Sequence, residues 1–301
     1  MTDTPLAHRP PNQLGVHALV WTGSWDAAAA QAACAATAGV GYDLIEIPLL
    51  DPAEVDPAMT RAALATAGLD ATCSLGLAPD TDISSTDGTV VARGEKLLHA
   101  ALEVSAAIGS SYLGGVTYSA MTKYVAPPTP AGRANSVSVL RGLAQEARSS
   151  GVTIGLEAVN RYESNLLNTI DQALEHIDAI GEENVVVHVD TYHANVEEHD
   201  LPGAVRRAAG AGRLGYVHAG ESHRGYLGTG SIAWDPFFDT LVEVGYRGPV
   251  VFESFSSVVV SERFAGALAI WRNLWDDSTD LAIHAHAFIT DHLSRRHQEA
   301  S

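Results

Sequence analysis

The stretch VTIGLE (residues 152–157) is an apolar run that ends in a carboxylate, and three further runs in the second half of the chain repeat that design. VVVHVD (185–190) closes on Asp190, LGYVH (214–218) on His218 and GPVVFE (248–253) on Glu253. The closing residues are 33, 28 and 35 positions apart, each interval about the length of one strand–helix unit. Side chains at the ends of neighbouring parallel strands converge above a sheet. Glu157, Asp190, His218 and Glu253 are therefore placed to share one ion. One acidic residue at a strand end is ordinary; four metal-binding side chains in succession form a pattern.

Four runs of the same kind precede these, at 14–20 (LGVHALV), 43–47 (DLIEI), 69–75 (LDATCSL) and 112–117 (YLGGVT). Runs that are apolar on both faces fit strands buried in a parallel sheet. Segments with helical spacing separate them, for example 26–38, 58–67, 90–108, 132–149, 169–180 and 235–244. Gly39, Gly68, Gly109, Gly151, Gly181 and Gly245 stand where C-terminal caps are expected. Eight alternating units predict an α/β fold, a (β/α)8 barrel formed as a single domain by residues 1–301. A doubly wound sheet fits less well, because no Gly-rich phosphate turn follows the first strand. Residues 1–12 read as a flexible arm. One helix is expected near 261–275, and a second near 278–296 in a C-terminal helical extension (278–301), packed on the barrel or on a neighbouring subunit. The long connections 76–88 and 117–131 follow strands three and four, where loops shape a pocket or lid.

With 18 basic against 36 acidic residues the chain carries a formal charge of −18, which repels nucleic acid and anionic membrane surfaces alike. No secretory signal or 18-residue apolar span is apparent, so a cytoplasmic location is expected. Cys34 and Cys73 have no metal spacing. Cys73 is read as a small apolar wall of the pocket.

Three carboxylates and one imidazole make a hard, oxygen-rich ligand set. Such a set favours a divalent ion, Mn²⁺, Co²⁺ or Mg²⁺, over a structural zinc. Three of the ligand-bearing loops carry a further polar residue: Glu163, His193 and Arg224. A carboxylate that accepts, with an imidazole and a guanidinium that donate, suits a polyhydroxylated substrate. Glu163 could instead pair with Arg161 or Lys123. Glu46 at the end of strand two could orient a metal ligand but is read as a hydrogen-bonded barrel carboxylate, and His188, opposite to Asp190's neighbours in strand alternation, as a satisfied core histidine. His284, His286 and His292 share a terminal helix without acidic partners, so no metal role is expected of them. No phosphate cradle is present, which points to an unphosphorylated sugar.

GLEAVNRYES (155–164), HVDTYHANVEE (188–198), HAGESHRGYLGTG (218–230) and VFESFSS (251–257) together resemble the motifs of the ketose 3-epimerases, the D-tagatose, D-allulose (psicose) and L-ribulose 3-epimerase family of the xylose-isomerase-like TIM barrels. The resemblance runs from about residue 14 to 277. It implies a Mn²⁺ or Co²⁺ enzyme, an isomerase inverting C3 of free ketoses as a homodimer or homotetramer. It places the metal on Glu157, Asp190, His218 and Glu253, the catalytic acid–base pair on Glu157 and Glu253, and substrate contacts on Glu163, His193 and Arg224. His17 stands where relatives often carry an aromatic ring, and Met121 where some have tryptophan. Trp25 and Phe255 match. The far carbons of the sugar are therefore held differently.

A proton at C3 of a ketose lies beside the C2 carbonyl, so its removal gives an enediolate, and inversion needs a base on one face and an acid on the other. Strands five and eight lie across the barrel mouth from each other, which suits Glu157 and Glu253 to that work. An aldose–ketose or hydroxypyruvate-type isomerase on the same barrel is the main rival. Its usual lysine is missing, since Lys96 and Lys123 lie away from strand ends. A barrel endonuclease conflicts with the charge, and an inert sugar-binding protein has no use for two glutamates flanking a metal.

Overall fold

The computed structural model describes residues 9–299, with side chains to residue 295. Eight parallel strands close into a barrel in the order β1 to β8: Leu14–His17, Leu44–Pro48, Asp70–Ser74, Tyr112–Gly114, Thr153–Glu157, Val185–Asp190, Leu214–Ala219 and Val250–Phe252. Strand β1 pairs with both β2 and β8, which closes the ring and excludes the doubly wound alternative. The helices are α1 (Ala27–Val40), α2 (Pro57–Ala67), α3 (Gly88–Ile108), α4 (Pro130–Ser149), α5 (Ile170–Ile180), α6 (Thr191–Glu197), α7 (Leu201–Gly210), α8 (Trp234–Glu243), α9 (Glu262–Ala267) and α10 (Ser278–Glu299).

Local chemistry sets the helix ends. Asp26, Asp56, Asp87, Thr129 and Thr169 each cap a first turn by accepting from backbone N–H groups. The first helix runs two residues beyond the expected end, and Gly41, not Gly39, caps it in the left-handed region at φ 105°. Gly68, Gly109 and Gly181 cap as expected.

Strand alternation sorts the side chains. Outward-facing residues such as Ile45, Leu113, Ile154 and Val187 pack against the helices in the main core. Leu44, Tyr112, Tyr216 and Val251, with Val186 against them, fill the lower barrel interior as a separate cluster. Two residues further along the same strands the inward positions become Glu46, His188, His218 and Glu253, so the barrel turns polar toward its C-terminal end. Cys73 lies one residue out of this phase. It is fully buried outside the pocket, which corrects its expected place in the wall.

The region after β8 differs from the expectation. Helix α9 is short, and from Leu268 to Leu274 the chain is irregular, with Ala269 at φ 54°, and lines the cavity mouth. Helix α10 lies on the barrel against α1 and α8, burying Leu281, Ala285, Ile289 and Leu293. Its histidines are structural: His284 contacts the Leu227 carbonyl and His286 stands edge-on to Tyr42. His292 does have an acidic neighbour, Asp235 at 3.6 Å, contrary to expectation. Of the expected arm 1–12, residues 1–8 lie outside the described residues. Asn12 is buried and donates to the carbonyls of Tyr246 and Gly248. Among the described residues no helix is long and apolar enough to cross a membrane.

Gly155 sits on β5 two residues before Glu157, where an added Cβ would collide with the ring and hydroxyl of Tyr112. Gly155→Ala should therefore destabilise the protein by about 1–3 kcal/mol, seen as a lower thermal midpoint. Adding Tyr112→Leu should recover part of the loss. A Gly155→Ala melting curve that matches wild type would contradict this packing.

Candidate metal centre and active site

His218 is at the centre of the site. Its Nε2 lies 2.7 Å from Glu46 Oε2, which also accepts from the Tyr216 hydroxyl at 2.8 Å. With the Nε2 proton engaged in that bond, Nδ1, which has no hydrogen-bond partner, is the nitrogen left to ligate an ion. Nδ1 faces Glu157 Oε1 at 3.7 Å, Asp190 Oδ2 at 3.6 Å and Glu253 Oε2 at 3.6 Å. These distances exceed hydrogen bonds, yet they equal the span of two ligands each about 2.1 Å from a shared ion. Ligand atoms of the four residues all lie within 4.8 Å of one another, and all four residues are buried. The expected quartet is thus brought together, and its donor set fits a divalent ion.

The geometry corrects two readings. Glu46 is no ordinary barrel carboxylate, since it orients His218 from across the barrel. His188 shares the inward face with Asp190, two residues on, but is not the satisfied histidine expected. It is fully buried with neither ring nitrogen hydrogen-bonded, and stands edge-on to His218 at 4.1 Å between ring centroids. With Glu157 and His218 it forms a second possible ligand group.

Asp190 serves two elements at once. Its Oδ1 caps α6 by accepting from the Tyr192 and His193 N–H groups, while Oδ2 faces His218 and Arg224. The cap starts a helical turn directly after β6, and that turn carries His193 into the site. His193 Nδ1 accepts from the backbone and side-chain N–H groups of Asn160, so its proton belongs on Nε2, 3.7 Å from Glu157 Oε1. Asn160 also donates to Glu163 Oε1 at 2.8 Å and thereby holds two of the three expected substrate contacts, Glu163 and His193. Its only signal in the sequence was its place between Glu157 and Glu163. Arg161 pairs with Glu197 and Lys123 lies over Tyr162, so neither claims Glu163.

Arg224 is not a surface residue. At φ 59° its backbone turns inward, and Nη1 reaches Asp190 Oδ2 at 3.0 Å and Glu253 Oε2 at 2.6 Å. The guanidinium lies over the Tyr192 ring at 4.1 Å. The surroundings shift the two glutamates in opposite directions. Burial raises the Glu253 carboxyl to about 8 against the opposing pull of Arg224 and His218. Burial also acts on Glu157, but His188, His218 and His193 outweigh it and hold that carboxyl below the usual range.

A cavity of about 680 Å³ opens above this floor, with Glu163, His193 and Arg224 in its wall. His17, Met121 and Phe255 line it too, while Leu77 and Pro79 bring in the long loop after β3. Trp25 does not line it. Its indole donates to Thr60 Oγ1 at 3.0 Å and faces a separate smaller cavity.

Comparison with known proteins agrees with this architecture. The family model described as xylose isomerase-like TIM barrel matches residues 34–281. A ketose 3-epimerase of Arthrobacter globiformis is 49% identical over 282 residues, 94% of this chain and 97% of the relative. An L-ribulose 3-epimerase of Methylomonas sp. (strain DH-1) is 49% identical over 92% of this chain and 96% of its own. The crystal structure of a D-allulose 3-epimerase from Methylomonas sp. in complex with D-allulose superposes with a TM-score of 0.91 at 48% identity, covering 94% of this chain and 98% of that one. The chain belongs to the xylose isomerase-like TIM barrels and, within them, to the ketose 3-epimerase family. It is an isomerase of the epimerase class.

Two outcomes test the metal centre. Glu46→Leu should lower Mn²⁺ affinity by roughly 10- to 100-fold, measured by calorimetry on a variant whose fold is checked by circular dichroism. Removal of the ion by chelation should also abolish turnover and lower the thermal midpoint, and added Mn²⁺ or Co²⁺ should restore both. An unchanged rate in a verified metal-free preparation would overturn the metal site.

Proposed function

We propose that this protein inverts C3 of free ketoses, the D-allulose/D-fructose, D-tagatose and L-ribulose class, by proton exchange between Glu157 and Glu253. The observation that carries the reading is the placement of Glu157 and Glu253 around one histidine nitrogen, at 3.7 and 3.6 Å, in surroundings that shift their two carboxyls in opposite directions. Two-faced proton exchange starts from such a pair. Similarity to named ketose and L-ribulose 3-epimerases supports the substrate class.

Glu157, Asp190, His218 and Glu253 would hold the divalent ion, and the oxygen-rich donor set suits Mn²⁺, Co²⁺ or Mg²⁺, with Mn²⁺ first by resemblance to the family. When bound, the ion supplies Lewis-acid charge that stabilises negative charge developing on the oxygens beside C3. Glu157, as carboxylate, takes the C3 proton from one face of the ketose and leaves an enediolate. Glu253, as carboxylic acid, delivers a proton to the opposite face, and the roles exchange in the reverse direction. The Nε2–H of His193 and the Arg224 guanidinium donate to oxygens at the O1–O3 end, and Glu163 accepts from a hydroxyl. Apolar side chains around the mouth, Phe255 and Met121 among them, limit water access to the carbanionic carbon. Assembly as a homodimer or homotetramer accords with the family.

In D2O the epimerised product should carry deuterium at C3 and nowhere else, read by NMR. Glu→Gln at position 157 or 253 should lower epimerisation by about 10²-fold or more. Label-free product under single-turnover conditions would replace proton exchange with a hydride shift, and aldose among the products would favour the isomerase reading. Arg224→Ala and Glu163→Ala should each lower kcat/KM by about 10-fold or more with metal content unchanged. Wild-type kinetics in both would remove them from the substrate site.

A further inference from the structure

A second cavity of about 290 Å³ opens on the same face of the barrel, between the loops that follow β1 and β2. Leu19, Pro48 and Leu50 line both cavities, so the two adjoin along one shared wall. The topology sets which end of a ketose faces that wall. Glu163, His193 and Arg224 follow β5, β6 and β7, whereas Leu19 follows β1 and Pro48 ends β2, across the eight-stranded ring. A sugar held at its O1–O3 end by the first group points its terminal carbon toward the second.

The chemistry of the second cavity is that of a sugar subsite. The Trp25 indole, locked by its bond to Thr60, offers a partly buried aromatic wall. Asp51 and Glu54 provide acceptors beside it, and Ser24 adds a hydroxyl. An aromatic face with hydroxyl-accepting carboxylates matches the apolar face and polar rim of a pyranose. A pyranosyl group of about 11 non-hydrogen atoms takes on the order of 200 Å³ at organic-crystal packing density, which fits the space. The same carboxylates repel a phosphate or an acidic sugar there, so the occupant is neutral.

We propose that the second cavity binds a neutral glycosyl group carried on the terminal carbon of the ketose, so that the substrate range extends to glycosylated ketoses with a free carbonyl end. This rests on the C3-epimerase reading and enlarges its substrate class.

The test uses the metal-loaded enzyme with isomaltulose (6-O-glucosyl-D-fructose) and D-fructose in parallel, in D2O. Isomaltulose should be epimerised with deuterium entering only at C3 of its ketose unit. Trp25→Ala and Glu54→Gln should each raise KM for isomaltulose by roughly 10-fold, leave KM for D-fructose within about twofold, and keep metal content unchanged. Trp25→Phe should retain most of the isomaltulose affinity. Turnover of D-fructose without isomaltulose overturns the inference and leaves the epimerase reading intact. Equal losses on both sugars in the two variants overturn it as well, since a structural role would produce them. Failure of the unsubstituted enzyme on every free ketose, D-allulose and L-ribulose included, sinks the epimerase reading first.

Discussion

The hydrogen bond between His218 and Glu46 is the constraint on which the rest of the site depends. An imidazole buried among carboxylates could rotate or change tautomer. Glu46 removes those choices by binding Nε2 from the opposite wall of the barrel, and Tyr216 holds the Glu46 carboxylate in turn. The Nδ1 lone pair is then aimed at three carboxylate oxygens. Local charge follows the same logic. Four buried carboxylates at the end of a barrel are tolerable only with positive charge among them, because desolvation penalises each ionised group. Arg224 supplies one such charge and leaves the remainder to an ion.

That requirement reaches into the backbone. Arg224 attains Asp190 and Glu253 only because its own residue adopts a left-handed conformation that a non-glycine residue rarely takes. Strain of this kind persists where surrounding contacts repay it, here a stacked Tyr192 ring and two carboxylates. Asp190 couples the metal centre to helix α6, since one oxygen caps the turn that carries His193. Catalytic and substrate-binding groups therefore share supports, and Asn160 joins two more of them. A substitution at one of these supports will move several functional groups together.

The cavity divides by polarity. Its floor carries the chemistry and is built from strand ends, while its mouth is lined by Leu19, Leu50, Met121, Phe255 and the irregular segment after α9. Loops at this end of a barrel vary without disturbing the strands beneath. The polar groups are thus gathered on the floor and the apolar ones around the mouth.

The barrel and the metal quartet were legible in the chain alone because both are local patterns. An apolar strand closed by a ligand, repeated at the spacing of one strand–helix unit, puts Glu157, Asp190, His218 and Glu253 at one rim whatever lies between. His193 and Glu163 followed, being a few residues downstream of those ends. Tertiary structure decided what depends on distance across the barrel. Only closure of the ring brings Glu46 on β2 to His218 on β7, and only the inward phase of β6 leaves His188 buried without a hydrogen bond. Trp25 was visible as a sugar-binding residue type, but the turn after β1 and the Thr60 bond direct it into the second cavity and away from the first. Helix α9 proved shorter than its composition implied because the chain beyond it is spent lining the pocket. Sequence periodicity records which face a residue occupies on its own element; the residue it meets from another element is set by how the barrel closes.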